Sequence, residues 1–280
     1  MKNISRAVLV LSALVLAACG GSSSGGSETV VLNFDARFDG EQFACGRSFG
    51  NVGTTNATVE PVDLRFYVSE VELVDASGNA VAVALDDDGA WQNDGVALVD
   101  FEDATGRCSE RGTPQTNTVV RGTAPAGEYT AVRFVMGVPE DQNHQDPAAA
   151  PAPLNITTLF WNWNAGYKFI RFDNWVEESG EPFRVHIGST MCEGDGRGNA
   201  TCMNSNRPEV ALDNFSGGVA NILMDLSQVF VGTNVEENAP DTSAGCQSMP
   251  TDDDCIAIFD EFGLPFRGST PGAQQVFRAE

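Results

Sequence analysis

An all-β chain, folded as an antiparallel β-sandwich or partly open barrel with long ordered loops, is what the sequence predicts, and three observations predict it. Apolar residues recur with period two in several short stretches, the repeat of a strand with one buried face. No stretch carries the 3.6-residue repeat of an amphipathic helix of three turns. Twenty-nine glycines and 13 prolines supply the turns that many short strands require. Apolar residues make up 42% of the 280, enough for a core, which excludes a wholly disordered chain.

Taken in order, the first strand runs from Val30, with Val30, Leu32, Phe34, Ala36 and Phe38 on one face and Asn33, Asp35 and Arg37 on the other. Asp39-Gly40 then offers a turn. In residues 62–74, Leu64, Phe66 and Val68 are in phase, whereas Val71 and Leu73 have the opposite parity, so a bulge or kink is expected near Ser69. Asp75 to Asn79 reads as a hairpin answered by Val81, Val83 and Leu85. The apolar run Val96–Val99 follows, then an alternating strand through Val132, Phe134, Met136 and Val138. Phe183, Val185 and Ile187 alternate with Arg184 and His186, and Ile222, Met224 and Leu226 mark a late strand. Residues 139–157 are too rich in proline for a strand and read as a long ordered loop, a type that often carries function. There is no internal repeat and no linker after residue 28, so residues 29–280 are expected to form one domain.

Residues 1–18 read as an export leader, with Lys2 and Arg6 ahead of a short apolar run from Ala7 to Leu16 that is too short to span a bilayer. Leu16-Ala17-Ala18-Cys19 resembles a bacterial lipobox. That resemblance implies cleavage before Cys19 and lipidation of its thiol, with Gly20 favouring the outer membrane over the inner one. Residues 19–28 would then be a lipidated cysteine on a flexible Gly/Ser tether, and the lipid the only membrane contact. The formal charge of −23, which becomes −25 once Lys2 and Arg6 are removed, argues against nucleic-acid binding. An exported chain with six further cysteines most simply forms three disulfides. The spacing suggests Cys192 with Cys202 and Cys246 with Cys255, leaving Cys45 for Cys108.

Only two histidines are present, His144 in the proline-rich loop and His186 on the strand before Ser189. Neutral imidazole suits copper, zinc, iron or nickel, so the pair is a candidate metal site. Met136, Met191 and Met203 could add soft donors, although core packing accounts for methionines as well. Trp161 and Trp163 would point to one side if residues 159–163 are extended, as an aromatic core or rim. Asp86-Asp87-Asp88 and Asp252-Asp253-Asp254 read as acidic turns, and Glu193-Gly194-Asp195-Gly196 weakly resembles a Ca²⁺ loop without the full Asp/Asn spacing and closing Glu of an EF-hand. Gly-x-Ser-x-Gly, a phosphate-binding glycine loop and His-Glu-x-x-His are all absent. The chain is therefore read as a binding protein and not an enzyme.

Several segments, in order, resemble the MbnP-like copper-binding proteins, also described as the four-cysteine partners of a metallo-mystery pair. They include Leu64 to Ser69, Val99 to Asp103, Gly127-Glu128-Tyr129, Gly137-Val138-Pro139, Asn143 to Pro147 and Ala152 to Asn155. The most specific are Phe160-Trp161-Asn162-Trp163, Gly166-Tyr167-Lys168-Phe169 and His186-Ile187-Gly188-Ser189-Thr190. The resemblance implies one bound Cu(I) in the bacterial cell envelope, facing the periplasm, and a role in copper homeostasis. It implies His144 and His186 as ligands, and conversion of Trp161 to a ligating kynurenine by a dihaem partner of the cytochrome c peroxidase and MauG type. Trp163 and Tyr167 would support the site. Six mature cysteines stand where the family label speaks of four, so Cys246–Cys255 is expected to be an extra staple away from the site. The alternative is a surface or adhesive β-sandwich with acidic Ca²⁺-binding loops; a copper-dependent redox enzyme using the same ligands is a third reading.

Overall fold

The computed structural model describes residues 25–195 and 199–280, so the leader, Cys19 and most of the tether lie outside the described residues. The strand Ala57–Asp75 is the hub of the larger sheet. Along one edge it pairs with Ile170–Val176 through Phe66 and then, from Val68, with Tyr129–Met136. The opposite edge takes Phe49–Val52, Val96–Asp100 and Ala80–Ala82 in turn. Glu181–Ile187 and Glu209–Asp213 extend the sheet outward.

The expected bulge is present. Between Arg133 and Val135 the register jumps from Glu72 to Ser69, and Glu70 takes up the extra residue with a φ of 51°. The jump carries Val71 and Leu73 back to the face already occupied by Phe66 and Val68, so one apolar face survives along the whole strand.

That face packs against a second sheet, ordered Phe277–Ala279, Val219–Asp225, Ser27–Phe38, Val119–Pro125, Ala84–Leu85. Phe34 reaches across to meet Phe66 and Phe134 edge-on, with ring centroids 5.5 and 5.7 Å apart. The two layers form a sandwich without a closed barrel, and one apolar cluster runs from Val30 to Phe277. One pairing departs from the antiparallel expectation: Ser27–Phe38 and Val219–Asp225 run parallel. They are separated by most of the chain, so no tight turn dictates their direction. The late strand also ends at Asp225, not beyond it. The Asp225 carboxylate accepts the Ser227 and Gln228 amides and starts the short helix Leu226–Val229.

A smaller apolar cluster lies on the outer face of the larger sheet. Tyr67, Leu98 and Val96 pack there against Val138, Leu154, Leu159, Tyr167 and Phe169 from the long connection between Met136 and Ile170. That connection springs from the hub strand where its partner changes: Tyr67 N–H donates to Phe169 O, and Gly137 N–H donates to Tyr67 O. It is ordered by this second core.

Disulfides join Cys45 to Cys108, Cys192 to Cys202, and Cys246 to Cys255. No helix among the described residues is long and apolar enough to cross a membrane.

Candidate metal centre

Strand register builds one wall of the site. Asp100, Arg65, Arg171 and His186 stand in one row across four adjacent strands, and Asp63 and Asp173 face each other in the next row. All six are buried, on the face opposite Phe66, Phe172 and Val185. Adjacent guanidinium groups would repel. Asp63 separates them, accepting from Arg65 Nε at 2.8 Å and lying 3.1 Å from Arg171 Nε. Arg171 donates through Nε and Nη2 to Asp173 Oδ2 at 2.8 and 2.7 Å. The other oxygen, Oδ1, lies 2.6 Å from His186 Nε2.

This arrangement fixes the imidazole. Burial opposes ionisation of Asp173, but the His186 and Arg171 donors outweigh it and hold the carboxyl far below its ordinary range. Burial also lowers the pKa of His186, against the pull of Asp173, so the ring is neutral with its proton on Nε2. The lone pair therefore sits on Nδ1. That atom is buried and has no hydrogen-bond partner among the described residues. A sheltered imidazole lone pair backed by a carboxylate is the usual state of a histidine that binds a metal.

The hairpin Phe160–Asn162 with Gly166–Tyr167 forms the second wall. The Trp161 ring lies 6.3 Å from the His186 ring, centroid to centroid, and rests on Gly188. A Cβ at Gly188 would fall 2.5 Å from Trp161 Cζ3 and 2.7 Å from Tyr167 O, so only glycine admits the indole this close. Lys168 Nζ stands 6.0 Å from the same ring while donating to Thr158 O. Burial, with neighbouring Arg171, pushes its ammonium down to about 8.

The extended stretch ends at Asn162, whose Oδ1 accepts the Asn164 and Ala165 amides and turns the chain. The two indoles therefore do not share a neighbourhood: Trp163 packs edge-on against Phe160 at 6.2 Å instead of joining Trp161 at His186.

Trp163 contributes its carbonyl to the other histidine. His144 is fully buried, and its Nδ1 lies 2.9 Å from Trp163 O. A carbonyl only accepts, so the proton is on Nδ1 and the lone pair on Nε2. Among the described residues Nε2 has two long contacts, Asn143 Nδ2 and Cys202 Sγ, both at 3.4 Å. Asn143 ties this side together by accepting from Tyr167 N–H at 2.9 Å and donating to Ser189 Oγ at 3.3 Å. Tyr167 is buried, and its hydroxyl donates to Leu154 O, anchoring the hairpin to the loop. His144, Cys192 and Cys202 also place their donor atoms within 4.8 Å of one another, but the two sulfurs are bonded to each other and offer no thiolate.

Asp173, Arg171 and Asp63 were not among the residues picked out from the sequence. The signal was charged residues at period two within apolar strands, in Ile170-Arg171-Phe172-Asp173 and Asp63-Leu64-Arg65. The Cys246–Cys255 staple was expected to lie away from the site, yet it borders it. His186 N–H donates to Cys246 O, and Ser248 Oγ donates to His186 O while accepting from Gly188 N–H.

Several carboxylate oxygens of the acidic segments are taken up by backbone amides, although Asp252 Oδ2 is buried without a partner among the described residues. Asp88 Oδ1 accepts the Ala90, Trp91 and Gln92 amides, Asp252 Oδ1 that of Asp254, and Asp195 Oδ1 that of Asn199.

Residues 27–248 match the family MbnP. The chain belongs to the MbnP family. A solved structure, MbnP from Methylosinus trichosporium, superposes with a TM-score of 0.79 at 30% sequence identity, covering 90% of this chain and 98% of that one. No curated protein matches the chain. Both imidazoles, the Trp161 hairpin and the Asp173 network fall inside the matched MbnP segment.

Proposed function

We propose that this MbnP-family chain is a copper-binding protein that holds one Cu(I) through His186 Nδ1, His144 Nε2 and a donor made from Trp161. The observation that carries the reading is the buried, unpartnered Nδ1 of His186, held in that tautomer by Asp173. Two neutral imidazoles suit a soft or borderline metal better than Mg²⁺ or Ca²⁺. An intact indole has no lone pair to offer. Oxidation of Trp161 to kynurenine provides one. Cleavage of the indole C2–C3 bond takes up two oxygen atoms, supplied by two equivalents of hydrogen peroxide, and hydrolysis sheds the former C2 as formate. An aryl amine and a ketone remain.

The oxidant belongs to a dihaem partner of the cytochrome c peroxidase and MauG type. Trp161 is half-buried at the wall of an open cleft of about 520 Å³, so the reaction is open to an outside agent. The bound metal would supply a tight, oxidation-resistant reservoir of Cu(I). The chain's own residues set the tautomers, exclude bulk water and seat the modified ring against Gly188. The protein is read as performing no turnover itself, and as working in copper homeostasis at the periplasmic face of a lipid anchor on Cys19. Three disulfides accord with an oxidising compartment.

Native mass spectrometry tests this on the chain co-expressed with the dihaem partner. One copper, with the kynurenine mass change mapped to Trp161, is expected; His186→Ala should keep the modification and lose the copper. An intact Trp161 without copper, in the presence of an active partner, would sink the proposal.

A further inference from the structure

We propose that Met191, Met203 and Met249 form a second, weaker thioether site for Cu(I) at the mouth of the cleft that leads to Trp161. The proposal rests on the copper reading above and adds a place where the ion is first held.

Five methionines lie among the described residues, and they divide sharply. Met136 and Met224 are core residues with no exposure, whereas Met191, Met203 and Met249 are 54%, 76% and 53% exposed. Unbranched apolar side chains left in water forgo the burial that normally stabilises them. Two adjoining depressions link them through Met191. On the hairpin Thr190–Gly194 with Ala200–Asn204, Thr190 pairs with Asn204 and Cys192 with Cys202, so the register sets Met191 opposite Met203. Met191 and Met203 both line one depression of about 660 Å³, and Met191 and Met249 both line the 520 Å³ cleft walled by Trp161. Met191 is common to both.

The backbone beside each methionine is tied down. The Cys192–Cys202 bond clamps the hairpin beside Met191 and Met203, and Ser248 pins the segment before Met249 to His186 and Gly188. Met191 itself has a φ of 54°, a conformation unfavourable for any side chain. A merely tolerated surface residue at that position would more readily be glycine or asparagine.

The cleft's chemistry selects the ligand. In a chain with 39 acidic residues, the cleft beside Trp161 has no charged side chain among its described lining residues, only amides, hydroxyls, apolar groups and thioether sulfur. A hard cation finds no carboxylate in that cleft, and in the depression shared by Met191 and Met203 the one carboxylate among the described lining residues, Glu209, stands with Arg207 and Arg267. Thioether sulfur favours soft monovalent ions. Because these donors are exposed and carry no fixed lone pair like those of the buried imidazoles, they bind more weakly, as a transfer site requires.

The test uses the full chain carrying methyl-¹³C methionine, with Ag(I) as a redox-inert stand-in for Cu(I). Added to the copper-loaded protein, Ag(I) should shift the Met191, Met203 and Met249 methyl resonances together, saturating at one equivalent, while Met136 and Met224 stay fixed. The M191L/M203L/M249L variant should lose this equivalent, keep its tightly held copper, and load the inner site several-fold more slowly to the same endpoint. Unmoved methyls, shifts with separate stoichiometries, or an unchanged loading rate in the leucine variant would each overturn the proposal. The same titration on H144A/H186A separates the two readings: thioether shifts should persist there although the inner site is gone.

Discussion

The two faces of the larger sheet are made by the same strands and do opposite things. Phe66, Phe172 and Val185 face inward and join the core shared by both layers. Their immediate neighbours Arg65, Arg171, Asp173 and His186 face outward and form a buried ionic row under the Trp161 hairpin. Alternation with period two lets one segment serve both purposes. The inner face is stabilised by non-directional burial and tolerates repacking. The outer face is held by hydrogen bonds between charges, where each member depends on its partner.

The largest effects should come from breaking each face in its own way. Phe66→Ala removes a fully buried ring that contacts Phe34 and should cost about 3–5 kcal/mol by chemical denaturation. Protein that remains folded should still bind one copper. Asp173→Ala should cost a similar amount, about 3–5 kcal/mol, because it removes both hydrogen bonds that Arg171 makes to Asp173 and leaves that buried guanidinium to its contact with Asp63, which Arg65 shares. Here, however, the surviving folded protein should also lose copper affinity, since nothing then holds the His186 proton on Nε2. The ¹⁵N shifts of His186 would report the tautomer directly. Equal copper affinity in the two variants would show that the outer row is only structural.

Much of this difference was legible in the sequence, and the illegible part has a common cause. The alternation in Phe183-Arg184-Val185-His186 already placed His186 off the apolar face, and the phase change after Val68 announced the bulge that Glu70 makes. Both are local properties of one strand. The pairing of His186 with Asp173, by contrast, needs the register of two strands, and the screening of Arg65 from Arg171 by Asp63 needs a third from far earlier in the chain. The parallel docking of Val219–Asp225 on Ser27–Phe38 is non-local in the same sense. The divergence of Trp161 and Trp163 was hidden for a different reason: the Asn162 side chain captures two backbone amides and ends the extended stretch.

A smaller effect would sharpen the comparison at the edge of the site. Replacing both Cys246 and Cys255 with serine opens a short loop and should cost about 2–3 kcal/mol. The segment it releases holds the His186 backbone on both sides, through Cys246 O and Ser248 Oγ. Copper should therefore dissociate faster from this variant, whereas opening Cys45–Cys108, whose residues hydrogen-bond with Thr105 and contact Pro61 and not His186, should lower stability alone. Equal off-rates in the two serine variants would remove the Cys246 strip from the site.

The smallest effect is a pH dependence that the inner face cannot have. Burial pushes Asp100 up to about 8, against Arg65 and with help from Glu102. A raised carboxyl contributes stability that is present below its ordinary pKa and lost as pH rises through the folded value, here from about pH 4 to about 8. His186 acts in the other direction: its lowered pKa leaves the folded ring neutral while the unfolded ring protonates, so stability falls as pH drops below its ordinary value of 6.5. Asp100→Asn keeps the acceptor for Glu102 N–H and removes only the titration. Its unfolding free energy should be flatter between pH 6 and 8 than that of the unsubstituted protein, by at most about 1.4 kcal/mol for each pH unit. Below pH 6.5 the variant should lose stability more steeply towards acid, because Asp100 no longer opposes His186 there, and the two curves should become parallel only below about pH 4. Parallel curves between about pH 6 and 8 would mean that Asp100 is already ionised in the fold and that Arg65, not burial, governs the row.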